Sequence, residues 1–173
     1  MMIEIKKINA ANQKDINLPN EPFKIWGKLI PSLKNGLWDY EIKKFSTISS
    51  QPFPDEDYQY NPELIYFGAY DKEKCVGIAI LSRGMFKYLY LDDLKVNQNY
   101  RGHHIASKLI EACINEAHTL KMQGVYTIAQ DNNLSACLFY LKNHFEIGGF
   151  NNRDYRATAQ ENKADIYFYR DCE

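Results

Sequence analysis

Four groups of residues in this chain have the types and spacing to do chemistry. The first is the run LKVNQNYRGHHIA, residues 94–106. A strand pattern leads into a turn holding Arg101 and Gly102, and an amphipathic helix follows at once. That order sets a helix N-terminus, with unpaired backbone N–H groups and the positive dipole end, at the close of a strand. Such a place binds phosphate well. The N–H groups of His103, His104, Ile105 and Ala106 would cradle a pyrophosphate, with Arg101 adding charge. The alternative is an ordinary strand–helix turn with an exposed arginine. The second group is Asp92 and Asp93 within the strand pattern of 86–96. Strict alternation places Phe86, Tyr88, Tyr90, Asp92, Leu94 and Val96 on one face and Leu91, Asp93 and Lys95 on the other. Two mid-strand acids are costly if buried unpaired, so they hint at function, since a carboxylate can hold a cation or take a proton. The alternative is a solvated face or an ion pair with Lys95. The third is Asn133 with Tyr140. Asn133 stands where it can cap a helix, and Tyr140, seven residues on, lies close to the same helix face. A phenol is protonated at neutral pH and can give up its proton in a tuned site; half-buried packing is the other reading. The fourth is the polar segment NNRDYR, residues 151–156, with Arg153, Tyr155 and Arg156.

The elements that must position these groups follow from the rest of the pattern. Residues 2–8 read as a strand. Residues 21–30 read as a short helix, with Pro22 near its start and Pro31 beyond its end. Residues 37–45 alternate loosely as a strand, and 49–63 form a polar loop with adjacent Asp55, Glu56 and Asp57. Strands are predicted at 64–71, 75–83, 86–96, 125–130, 145–149 and 165–170, with helices over 103–121 and 133–143. The order gives a mixed sheet with helices on its faces, an α+β fold in a single domain over 1–173.

The bulk composition narrows the function classes. The 173 residues carry a formal net charge of −1, which argues against nucleic acid or an anionic membrane as partner. Cys75, Cys113, Cys137 and Cys172 form no C-x-x-C pair, so no metal is expected, and lone thiols suit a reducing, cytoplasmic setting. The N-terminus has no signal-length apolar run. The 13 tyrosines and 9 phenylalanines suit an aromatic core or a ligand groove.

Arg-x-x-His-x-Ala over 101–106 resembles the Arg-x-x-Gly-x-Gly/Ala loop of the GNAT superfamily of acetyl-CoA-dependent N-acetyltransferases, with His104 in place of a glycine. Asn133–Leu134–Ser135–Ala136 through Tyr140 resembles the family's Asn-x-x-Ala-x-x-x-Tyr segment, and His144–Phe145 replaces its Gly-Phe. The segments NEPFKIWGKLIP, CVGIAIL, QDNNLSACLFY and FEIGG are similar to the streptothricin acetyltransferase branch over most of the chain. The resemblance implies a mainly antiparallel sheet flanked by helices and splayed at two central parallel strands. It implies acetyl-CoA as cosubstrate, with no metal. Its contacts would be Leu94, Lys95, Val96, Arg101, Gly102, His103, His104, Ile105, Ala106, Asn133 and Tyr140. It also implies Asp92 as base, Tyr140 as proton donor to the thiolate, and Asp92, Asp93 and Tyr155 around a small cationic amine, as monomer or homodimer. Arg153 and Arg156 depart from the branch, so the acceptor could be streptothricin, a polyamine, an aminoglycoside, or a protein lysine or N-terminus. With histidines at two glycine positions, a non-catalytic CoA-binding module is a further reading.

Overall fold

A computed structural model describes all residues, Met1–Glu173. In chain order the elements are β1 (Ile3–Lys7), a 3-10 helix (Ala10–Asn17), β2 (Phe23–Lys34), β3 (Leu37–Gln51), β4 (Ile65–Asp71), β5 (Lys74–Arg83) and β6 (Tyr88–Val96). A short 3-10 turn (Gln98–Tyr100), α1 (Ile105–Thr119), β7 (Gly124–Gln130), α2 (Leu134–Lys142), β8 (Glu146–Asn151) and β9 (Asp165–Asp171) complete the chain. Hydrogen bonding orders seven strands β1-β4-β5-β6-β7-β9-β8, while β2 and β3 form a separate pair. The pairings β1–β4, β4–β5, β5–β6 and β8–β9 are antiparallel, and β6–β7 is parallel. That parallel register covers Tyr88↔Gly124, Leu89↔Val125 and Tyr90↔Tyr126, whereas β6 runs on to Val96 and β7 to Gln130. No helix is long and apolar enough to cross a membrane.

The chain divides into two compact units. One comprises Met1–Glu21, Phe53–Tyr126 and Asp171–Glu173, and the other Pro22–Pro52 and Thr127–Arg170. The first is built on β4 and β5, whose near-continuous apolar runs are buried. The α1 residues Leu109, Ile110 and Cys113, at helical spacing, are fully buried. Ile8, Ile16, Tyr66, Ile78 and Ile80 form a second cluster, with Tyr58 and Tyr60 packed against it. Asn9 starts the first 3-10 helix through a reciprocal capping box with Asn12.

In the second unit, residues 21–30 are strand, not the expected helix. The predicted helix fails because Asn35 and Gly36, with φ of 51° and 75°, make a two-residue turn that returns the chain on itself. Lys34 then faces Leu37, and Pro31 lies inside the strand opposite Tyr40 instead of beyond its end. Gly27 lets this hairpin meet α2. A Cβ there would lie 2.6 Å from the Lys43 carbonyl and 2.8 Å from Leu134 Cδ2. Beside it, Trp26 Nε1 donates to Ser135 Oγ at 2.8 Å.

Candidate active site

The predicted phosphate turn is anchored to β5 and closed by an asparagine side chain. Asn97 N donates to Val76 O at 2.9 Å, and the Asn97 side chain accepts from Asn99 N at 3.1 Å. Gly102 has φ of 81°, and His104, at the N-cap of α1, has φ of 58° and ψ of 20°. Two left-handed residues, separated by His103, turn the chain sharply into the helix. His104 supplies no side-chain cap, and the first turn of α1 holds no acid. Arg101, Gly102, His103 and His104 are exposed, Ile105 is buried and Ala106 is half-buried. The helix start is thus a set of N–H donors without a side-chain acceptor from its own cap, as an anion site requires. Arg101 has fixed partners: its Nε donates to Val96 O at 3.1 Å, and its Nη2 donates to Glu21 Oε2 at 2.8 Å.

The strict alternation expected for 86–96 does not hold. Phe86 lies in the preceding turn with φ of 51°, and β6 starts at Tyr88. Ile80 pairs with Asp93 but Leu81 pairs with Leu91, so Asp92 is an extra residue in the ladder, a β-bulge. Leu91 and Val96 are both buried although alternation puts them on opposite faces. The bulge turns Asp92 outward, and as a residue it is exposed. Its carboxyl is nonetheless raised above the usual carboxylate value, first by the packing around it and further by Asp93, against a lowering hydrogen bond with Ser82.

Asp93 has a different environment. Its Oδ2 lies 3.0 Å from Lys95 Nζ and accepts from the Tyr58 hydroxyl at 3.2 Å. Lys95 Nζ also donates to Asn20 Oδ1 at 2.8 Å and sits 5.7 Å above the Tyr58 ring. The carboxyl of Glu56, on the neighbouring loop, is raised by burial and by the charge of Asp93, with Lys95 pulling it down. Leu94 is half-buried and pairs with Ala79.

In the second unit, Asn133 caps α2, its side chain accepting from Ala136 N at 3.3 Å. Tyr140 is buried, with its ring 5.3 Å from Phe145, 5.5 Å from Phe139 and 5.6 Å from Phe168. The 151–163 loop is not loose at Tyr155. That hydroxyl donates to Asp165 Oδ1 at 2.8 Å and accepts from Gln130 Nε2 at 3.0 Å. Burial first, and the bond to Asp165, push Tyr155 up to about 12. Arg153 and Arg156 on the same loop are exposed. Asp131, at the end of β7, accepts from Ala164 N at 3.2 Å and from Leu29 N through its carbonyl at 3.0 Å, which ties β2 to this end of β7.

The structure therefore brings Asp93 and Lys95 together on β6 and ties Arg101 to the end of that strand at Val96. In the second unit Asn133 caps α2, Tyr155 meets Gln130 at the end of β7, and Tyr140 packs among Phe139, Phe145 and Phe168. Sequence reasoning missed Asn20, Glu21, Tyr58, Gln130 and Asp165. The only signal for the first two was that they open NEPFKIWGKLIP, one of the segments similar to the streptothricin acetyltransferase branch.

Residues 31–145 match the model of the acetyltransferase (GNAT) family. The chain is 31% identical over 169 residues to streptothricin acetyltransferase A of Bacillus subtilis, covering 95% of this chain and 98% of that protein. It is 26% identical over 130 residues to a streptothricin acetyltransferase of Escherichia coli, covering 73% and 75%. Among solved structures, a Bacillus anthracis protein assigned as a streptothricin acetyltransferase, in complex with acetyl coenzyme A, matches with a TM-score of 0.86. It is 24% identical, with 98% of this chain and 99% of that one covered. A nourseothricin acetyltransferase matches at 0.81, with 17% identity and 99% of both chains covered.

Proposed function

Because the chain belongs to the GNAT acetyltransferase family, we propose that it transfers the acetyl group of acetyl-CoA to a primary amine of a small cationic molecule, with a streptothricin-type antibiotic as the first candidate. One observation carries the reading: an uncapped helix start, entered through two left-handed residues, follows the strand in which a bulge exposes Asp92. Full-length likeness to streptothricin acetyltransferase A supports the choice of acceptor.

In this reading the residues 101–106 hold the pyrophosphate through backbone N–H groups. Asp92 binds the ammonium and takes its proton, directly or through water. Its carboxyl, raised by the packing around it, is a better base than an ordinary aspartate. The amine nitrogen then attacks the thioester carbonyl, and backbone N–H groups around the bulge, near Leu94–Val96, support the developing oxyanion. As the C–S bond breaks, Tyr140 gives its phenolic proton to the leaving thiolate, and the second proton lost by the acylated nitrogen passes through solvent to restore the phenol. Lys95 neutralises Asp93, which orients the acceptor side instead of serving as a second base. Much of the acceleration comes from holding two reactants in place. The enzyme acts in the reducing cytoplasm, a reading supported by four free thiols.

A second reading changes only the acceptor. Exposed Arg153 and Arg156 and the internal cation Lys95 all disfavour a polycation, so an amine of lower charge fits them better. A free-thiol release assay with acetyl-CoA against streptothricin, spermidine, an aminoglycoside and a lysine peptide separates the readings. Turnover with streptothricin supports the first, and turnover with another amine alone supports the second. No turnover, with no acetyl-CoA-induced rise in melting temperature, overturns both.

A further inference from the structure

Two consecutive side chains just before β2 have no part in the acetyl transfer described above, yet each reaches one half of it. Glu21 uses both carboxylate oxygens on the phosphate turn: Oε2 accepts from Arg101 Nη2 at 2.8 Å and Oε1 accepts from Gln98 N at 3.1 Å. Together with the Arg101 Nε bond to Val96 O, the turn is fixed by its backbone and by its arginine. An ion pair this exposed contributes little by itself, with Arg101 55% and Glu21 21% exposed. Bridging a side chain and a backbone N–H of the same turn sets geometry, however, and leaves Arg101 Nη1 outside these contacts.

Asn20 faces the acids. Its Oδ1 accepts from Lys95 Nζ at 2.8 Å, its Nδ2 donates to Pro54 O at 2.8 Å, and its backbone N donates to Asp55 Oδ1 at 2.6 Å. It thereby holds Lys95 against Asp93, in a pair whose side chains are only 13% and 12% exposed. Without that carbonyl, Lys95 gains freedom to leave Asp93 or to neutralise Asp92, and either change alters the charge an amine meets. Adjacent residues are only about 3.8 Å apart at their Cα atoms, so one point of the chain sets both halves.

Resting on the acetyl-transfer reading, we propose that Asn20 and Glu21 are positioning residues of divided duty. Glu21 orders the cofactor turn through Arg101 and Gln98, and Asn20 orders the amine-facing carboxylates through Lys95. The test uses steady-state kinetics with acetyl-CoA and the best amine of the panel, calorimetric Kd for each, and melting temperature. Glu21→Ala is expected to raise the KM and Kd of acetyl-CoA about tenfold, the scale of one charged hydrogen bond, with the amine KM within about twofold of wild type. Asn20→Ala is expected to do the reverse, raising the amine KM about tenfold and leaving the acetyl-CoA Kd unchanged. Asn20→Asp keeps an acceptor for Lys95 but loses the donor to Pro54 O, so its amine KM is expected to lie between wild type and Asn20→Ala.

Equal rises of both constants in both variants, or a lower melting temperature with unchanged kinetics, would reduce the pair to structural residues and overturn the proposal. Tighter acetyl-CoA binding in Glu21→Ala would also overturn it, since Glu21 would then compete with phosphate for Arg101. If wild type turns over no amine, the acetyl-transfer reading fails, while the calorimetric Kd values still decide the two positioning roles.

Discussion

His104 and His144 both hold left-handed backbone, with φ of 58° and 65°, and both stand where the resembled family carries glycine. A side chain in that region costs roughly 1–2 kcal/mol, although histidine tolerates it better than most residues. The two substitutions thus keep the backbone path and accept its strain. His104→Gly removes this strain at the start of α1, set against about 0.5–1 kcal/mol of added unfolded-state freedom. The variant should melt at or slightly above the wild-type temperature and bind acetyl-CoA at least as tightly by calorimetry. Loss of binding would instead make the imidazole a phosphate ligand. Tyr140 poses a different question, because burial and three aromatic neighbours already account for its ring. Tyr140→Phe keeps those contacts and deletes only the hydroxyl. If that hydroxyl protonates the thiolate, kcat should fall about a hundredfold or more while the acetyl-CoA Kd stays within twofold. Unchanged kcat would remove Tyr140 from the chemistry and leave it a core residue.

At the scale of elements, the β2–β3 hairpin depends on two residues of backbone conformation. A Cβ added at Gly36 meets nothing within 4 Å, so Gly36→Ala isolates the cost of φ at 75°. That cost is about 1–2 kcal/mol. Amide exchange should accelerate along β2 and β3 and the melting temperature should drop; unchanged exchange would mean the turn readily adopts another form. This hairpin is also where sequence reasoning failed. Pro22 and Pro31 bracketed a window that read as a helix, while the Asn-Gly signal lay just outside it. The later strands and both α-helices were legible because their periods are regular and turn residues bound them. The turn between β6 and α1 and the Asn133 cap were legible for a related reason: their backbone signals are local. Asp92 was found, but not the bulge that exposes it, since alternation assumes an unbroken period. Contacts such as Glu21–Arg101 and Asn20–Lys95, 80 and 75 residues apart, leave no periodic trace in the chain and needed coordinates.

For the molecule as a whole, pH dependence follows from carboxyls that burial raises. Glu56 and Asp92 in one unit, and Asp131 and Asp165 in the other, are all shifted upward, with burial the first cause in each. The sign is the same for all four. As pH rises through the ordinary carboxylate range the unfolded chain ionises first, so the folded protein holds more protons. Their stabilising effect is full below the unfolded pKa and is lost as pH rises through the folded one. The ligand-free protein should therefore melt at a lower temperature at about pH 7 than at about pH 5, at fixed ionic strength. Asp131→Asn should flatten part of that slope, because its buried carboxyl is replaced by a group that does not titrate. It also loses a charge beside Lys28, so the slope, not the absolute melting temperature, is the quantity to read. Activity should run the opposite way. Asp92 must be ionised to accept a proton, so kcat/KM should rise with pH along an acid limb set above the ordinary aspartate value. That limb should disappear with the residual activity of Asp92→Asn. A melting temperature that climbs from pH 5 to 7, with a slope unchanged in Asp131→Asn, would mean that these carboxyls do not set the pH dependence of stability.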